Sequence, residues 1–185
     1  MLACVYTFGK AAGCHGAVIC SSKIVTDYLV NYARPFVYST ALPPHSIATI
    51  NSSYITMISQ EGDELRDHLF FLVRLFQSKF INALKHMGID SCHNILLPSP
   101  SPIQAILCPG NEECIHMAEV LRQEHNLDVY PIRSPTVPNG SERIRIILHS
   151  HNTSNDVLCL VHALIIFLKN SDAVATTKQN PKSKL

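Results

Sequence analysis

This sequence lacks an excess of either charge. Its 15 lysines and arginines stand against 14 aspartates and glutamates, and no basic run occurs before the last few residues. Nucleic acid and acidic membrane surfaces are thereby set aside as partners, because both need a concentrated cationic face. It also lacks a CxxC pair: the seven cysteines are odd in number and widely scattered. That distribution reads as reduced thiols in a cytosolic (cytoplasmic) protein rather than as a disulfide framework. The ten histidines include no HExxH arrangement. His149 and His151 are expected to share a strand face without carboxylate or thiolate partners, so no metal site is expected. Finally, no apolar run suffices to cross a membrane: residues 157–168 are interrupted by His162 and fall short of the roughly 20 residues a span requires.

What is present is hydrophobicity, 46% of 185 residues, enough to bury a core. Residues 2–7 and 16–20 read as short buried strands, with the Gly- and Ala-containing residues 9–16 turning between them. A strand that opens at residue two, without a polar lead-in, leads to the expectation that further sequence precedes it. Ser22 is expected to cap a helix over 21–32, a short strand follows Pro35 over 36–39, and Pro43 and Pro44 open a helix to about Ser59.

From Glu61 to Met87, Leu65, Leu69, Leu72, Phe76, Phe80 and Leu84 recur at helical spacing, predicting one long amphipathic helix ended by Gly88. Residues 91–102 read as a polar, Pro-rich loop, followed by a strand over 103–108. A helix over 111–125 carries Glu112 and Glu113 in its first turn, where the helix dipole favours them. A strand over 127–132, a loop over 134–140, a strand over 143–148 and a helix over 153–168 complete the pattern. Three strands and two helices after the long helix predict a compact α+β lobe. Residues 170–185 are polar and aperiodic, and are expected to be disordered.

Lys10 lies between two strands, flanked by Gly9 and Gly13. A lysine in such an apolar turn can have its amine pKa lowered by desolvation and serve as a nucleophile toward an aldehyde, although an ordinary surface lysine fits the spacing too. The segment Thr7-Phe8-Gly9-Lys10-Ala11-Ala12-Gly13-Cys14-His15-Gly16-Ala17 is followed by Asn-Tyr-Ala-Arg-Pro-Phe-Val-Tyr-Ser-Thr-Ala-Leu-Pro-Pro over 31–44. Pro-Ile-Arg-Ser-Pro-Thr-Val-Pro over 131–138 then precedes Arg143-Ile144-Arg145-Ile146. In this order and spacing the segments resemble the α-oxoamine synthases, pyridoxal-phosphate-dependent enzymes of the aminotransferase class I/II fold.

That resemblance implies an α/β chain forming the C-terminal part of a fold type I transferase. Residues 1–60 would be the end of the large cofactor domain, 61–88 a long linking helix, 89–169 a small α+β C-terminal domain and 170–185 a tail. It implies pyridoxal 5'-phosphate (PLP) as cofactor, with Lys10 as Schiff-base residue and general base and Thr7 as a contact to the cofactor phosphate. Ser39 and Thr40 would reach the neighbouring subunit's cofactor phosphate in a homodimer. Arg145 would bind the amino-acid carboxylate, while Arg133 and Thr136 near the site's mouth would position the acyl-CoA. For Arg143, two residues earlier on the same strand face, a surface salt bridge is the plainer alternative.

The implied reaction is a decarboxylative condensation of an amino acid, L-alanine, with an acyl-CoA, pimeloyl-CoA, as in biotin synthesis. The resemblance begins just before the lysine. The family's acidic partner of the ring nitrogen and its ring-stacking histidine lie upstream, so the chain is expected to be truncated and inactive alone. The alternative is a noncatalytic remnant that associates with intact synthase subunits.

Overall fold

The computed structural model describes residues 2–89 and 92–170, and the chain divides after Glu64 into two units. The first unit opens with a hairpin. Strands β1 (Ala3–Thr7) and β2 (Ala17–Ser21) pair antiparallel, with Cys4 opposite Cys20 and Thr7 opposite Ala17. Helix α1 (Lys23–Tyr32) begins two residues later than expected, with Ser22 at its N-cap position. The Ser22 hydroxyl makes no cap bond; its carbonyl instead accepts from the Thr26 N–H at 3.0 Å.

The strand expected over 36–39 is not formed, and Arg34–Val37 makes a one-turn helix, α2. Pro35 has no N–H to offer a neighbouring strand, and its fixed φ suits the first turn of a helix. The N–H groups of Val37 and Tyr38 close back onto the carbonyls of Ala33 and Arg34 at 2.9 and 3.0 Å, satisfying locally what a ladder would have satisfied at a distance. Helix α3 (Pro44–Met57) begins where the two prolines placed it. Among the described residues, Phe8 is the one hydrophobic side chain of this unit that is buried, edge-on to Tyr54 at 6.1 Å.

Helix α4 (Gln60–His86) carries the predicted stripe into the second unit's core. Leu72, Phe76, Phe80 and Leu84 are each fully buried, and Phe76 stacks on Phe80 at 5.7 Å. Each such side chain stabilises the fold by roughly 1.5–3 kcal/mol through apolar area removed from water. Strands β3 (Leu96–Leu97), β4 (Ile103–Leu107), β5 (Tyr130–Ile132) and β6 (Arg143–Ile147) form an antiparallel sheet in the order β3-β4-β6-β5.

Helices α5 (Asn111–His125) and α6 (Ser154–Asn170) supply the remaining core. Strand alternation sends Ile144 and Ile146 into that core and leaves Arg143, Arg145 and Ile147 on the other face.

Four strands rather than three follow the long helix. The expected loop over 91–102 contains a 3₁₀ turn (Cys92–Asn94) and β3, whose Leu96 pairs with Ile106. Two residues carry no periodicity, and β3 exists because β4 offers it a ladder. Gln104, in the buried register of β4, is satisfied: its amide donates to the carbonyls of Ser101 and Ser99 at 2.6 and 3.2 Å and its oxygen accepts from Gln77 of α4 at 3.0 Å. Helix α6 runs through Asn170, the first residue of the expected tail; residues 171–185 lie outside the described residues. No helix among the described residues is long and apolar enough to cross a membrane.

Candidate functional site

Lys10 sits in the connection between β1 and β2, which is held as a fixed shape by backbone bonds. The Phe8 N–H donates to Gly16 at 2.9 Å, the Cys14 N–H to Phe8 at 2.8 Å and the Gly13 N–H to Lys10 at 2.9 Å. From α3, the Ser53 hydroxyl donates to the Ala12 carbonyl at 2.8 Å. Gly16 has φ +107° and lies so close to Leu42 that a Cβ there would come within 3.1 Å of that side chain. Glycine meets both demands without strain.

The side chain of Lys10 is exposed and has no hydrogen-bond or ion-pair partner among the described residues. The glycine-flanked turn expected from the sequence is therefore present, while the apolar burial expected around the lysine is not supplied by this hairpin. Thr7, the last residue of β1, is exposed three residues earlier. Ser39 turns its hydroxyl back to the Pro35 carbonyl at 2.5 Å, and Thr40 is exposed beside it. Leu42, two residues further on, is the link from this segment to the base of the lysine loop. An open apolar depression of about 680 Å³ lies between the hairpin and α3, lined by Tyr6, Phe8, Val18, Ile47, Ile50 and Tyr54.

The other candidate residues belong to the second unit. Arg145 lies on β6 between Ala105 of β4 and Tyr130 of β5, its partners in register. Its guanidinium carbon is 5.4 Å from the Tyr130 ring centroid. Its Nε is buried and has no hydrogen-bond partner, and the residue makes no ion pair among the described residues. Arg145 and Tyr130 border a depression of about 710 Å³ that also touches Asp128, His149, His151 and Asp156.

Both carboxylates there are already engaged. Asp128 accepts from Arg122, and Asp156 accepts from the Thr153 N–H at 2.8 Å, which holds its carboxyl below the usual range. His149 and His151 do not share a strand face. They stack at 5.2 Å beyond β6, which ends at Ile147. Arg143 makes no salt bridge among the described residues; its Nε donates to the Ser141 carbonyl at 2.9 Å.

Arg133 and Thr136 are exposed on the connection between β5 and β6. Two residues that sequence reasoning missed hold that connection. Asn111, at the start of α5, accepts from the Ser134 N–H at 3.0 Å. Glu142, only 2% exposed, accepts from the N–H groups of Gly140 and Gly110 at 2.8 and 3.1 Å. The Gly110 bond is the main cause that keeps the Glu142 carboxyl below its usual range, helped by the Glu142 and Gly140 N–H groups. Its signal was available: positions 142, 144 and 146 share the buried parity of β6, and a glutamate in that register needs a partner.

Residues 1–164 match the family described as aminotransferase class I and II. The chain is 35% identical over 160 residues to 8-amino-7-oxononanoate synthases of Salmonella agona and Salmonella typhimurium, an overlap of 86% of this chain and 39% of each relative. Among solved structures, the 8-amino-7-oxononanoate synthase of Francisella tularensis aligns with a TM-score of 0.71 and 26% identity, over 91% of this chain and 46% of that one. Serine palmitoyltransferase of Sphingomonas wittichii shares the fold, with a TM-score of 0.74 and 23% identity over 98% of this chain and 41% of that one. The chain thus spans 39% of the length of the curated relatives it matches.

Proposed function

The chain belongs to the aminotransferase class I and II family, and from that premise we propose that it supplies the cofactor lysine and small domain of a PLP-dependent α-oxoamine synthase. Its α/β fold matches part of a fold type I transferase. The reaction is the condensation of an amino acid, L-alanine, with an acyl-CoA, pimeloyl-CoA, with loss of CO2. One observation carries this reading: Lys10 stands exposed, without a partner among the described residues, on a loop whose shape is fixed by four hydrogen bonds.

The residues present fit the cofactor. An amine without an internal partner is available to an aldehyde, and the exposed Thr7 hydroxyl can donate to a phosphate oxygen. Ser39 and Thr40 would face the phosphate held by a second subunit of a homodimer. When bound, PLP supplies an electron sink for negative charge at the substrate α carbon. The protein residues do the rest.

Lys10 would hold the cofactor through Nζ, and the same amine would take the α-proton of the amino acid. Arg145 grips the substrate carboxylate with its planar fork and so fixes which α-bond is aligned for cleavage. Arg133 and Thr136, on the connection held by Asn111 and Glu142, position the acyl-CoA. In this reading residues 1–60 end the large cofactor domain, 61–88 link the domains, 89–169 form the small domain and the enzyme is cytoplasmic.

A second reading draws on the surface of the first unit. Apart from Phe8 the first unit buries no hydrophobic side chain among the described residues, and Val5, Ile24, Tyr28, Ile47 and Ile55 are all exposed. Among the described residues, no further strand pairs with either edge of the two-stranded hairpin. Such a surface suits a noncatalytic subunit that associates with intact synthases.

Borohydride reduction after mixing with PLP, followed by peptide mapping, separates the two readings, with Lys10→Ala as control. Saturable labelling confined to Lys10 supports the synthase reading. Labelling spread over several lysines and unchanged by the substitution overturns it in favour of the noncatalytic one.

A further inference from the structure

We propose that Tyr130 is a positioning residue for Arg145, its ring holding the guanidinium fork open for an incoming carboxylate; this rests on the reading of Arg145 as the carboxylate-binding residue. The backbone sets the juxtaposition. In the β5–β6 ladder Tyr130 stands directly opposite Arg145, so both side chains leave the same face of the sheet. The ring centroid lies 5.4 Å from the guanidinium carbon, within cation–π range.

Three features distinguish this pair from incidental packing. First, Arg145 makes no ion pair among the described residues, and its buried Nε has no hydrogen-bond partner. Second, the carboxylates bordering the same depression are held elsewhere, Asp128 by Arg122 and Asp156 by Thr153, so neither competes for the fork. Third, the Tyr130 side chain is half exposed on an edge strand and its hydroxyl has no partner among the described residues. Its ring is therefore the part in use. A free arginine side chain samples many rotamers, and a fork stacked on a ring loses less freedom when it binds a planar anion.

The test is an arginine-selective ¹⁵N titration of the full chain with sodium acetate, balanced with chloride to constant ionic strength. The Nε signal of Arg145 is assigned through Arg145→Lys. Wild type and Tyr130→Phe are expected to shift saturably with similar affinity. Tyr130→Val, which suits an edge strand, and Tyr130→Leu as a second aliphatic variant are expected to bind about fivefold to tenfold more weakly. Their β6 amide signals should stay in place.

Wild-type affinity in the aliphatic variants, with binding lost in Arg145→Lys, overturns the role of Tyr130 and leaves the carboxylate reading of Arg145 standing. Weak binding in Tyr130→Phe overturns the role of the ring. A wild-type chain without a saturable shift overturns both the reading of Arg145 and this proposal.

Discussion

The hydroxyl of Ser53 donates to the carbonyl of Ala12 across 2.8 Å and 41 positions of sequence. That bond fastens the Lys10 loop to α3 in a unit where Phe8 is the one buried hydrophobic side chain among the described residues. Ser53→Ala removes it at a cost of about 0.5–1.5 kcal/mol. The amides of Gly13 and Cys14 are expected to exchange hydrogen faster by a corresponding factor, while those of β4 and β6 are unchanged. If exchange in the loop is unaltered, the loop holds its shape through its backbone bonds alone.

Gly62, at the start of α4, passes so near α3 that a Cβ would sit 2.3 Å from the Thr56 carbonyl oxygen and 2.8 Å from that of Met57. Both are backbone atoms and neither can swing aside. Gly62→Ala is expected to destabilise by about 1–3 kcal/mol, the usual range for overpacking. Gly9→Ala, whose Cβ would make an ordinary contact at 3.7 Å, serves as a near-neutral comparison. Urea midpoints of the two variants give the answer.

The Glu142 carboxyl is held below its usual range by backbone N–H donors, chiefly that of Gly110. A group whose folded pKa is depressed adds stability above its unfolded pKa, roughly 4.3 for glutamate, and that stability fades as pH falls through the folded value. Wild type should therefore lose thermal stability on acidification below about pH 4 more steeply than Glu142→Gln. At neutral pH the variant is expected to be the less stable protein. Parallel acid limbs for the two would remove Glu142 from the account of the Arg133 connection.

Burial pushes the Cys108 thiol up to about 12, with Cys114 and Glu113 adding to the shift, and burial likewise raises Cys114. Thiolate is the reactive form, so both cysteines should be silent toward a disulfide reagent at pH 8 in the native state. The exposed Cys20 and Cys159 should react promptly. Quantitative labelling before and after denaturation checks the assignment; rapid native labelling of Cys108 would contradict the buried geometry.

Legibility followed the range of the interactions. The stripe from Leu72 to Leu84 and the helix Asn111–His125 were readable because helical periodicity and first-turn glutamates are local signals. The turn around Lys10 was readable because glycines mark it, but its fastening by Ser53 was not. The α2 turn was not legible, because a short apolar run after proline suits a strand, whereas here the N–H groups of Val37 and Tyr38 bond to Ala33 and Arg34 within a helical turn. Glu142 directly precedes β6 and continues its buried parity, yet a glutamate at that position carries, by residue type, no local signal of burial.

By itself, the sequence determined the element types apart from α2 and β3, the hairpin that carries Lys10, the amphipathic face of α4 and the family to which the chain belongs. Each follows from neighbours within a few positions or from motif order along the chain. Tertiary structure alone decided that Leu96 and Leu97 form a strand and that Gln104 and Glu142 are buried with their bonds made. It also decided that Tyr130, rather than a carboxylate, lies beside Arg145. Those outcomes depend on which strands lie side by side and in what register, and register is set by pairing between segments distant in sequence.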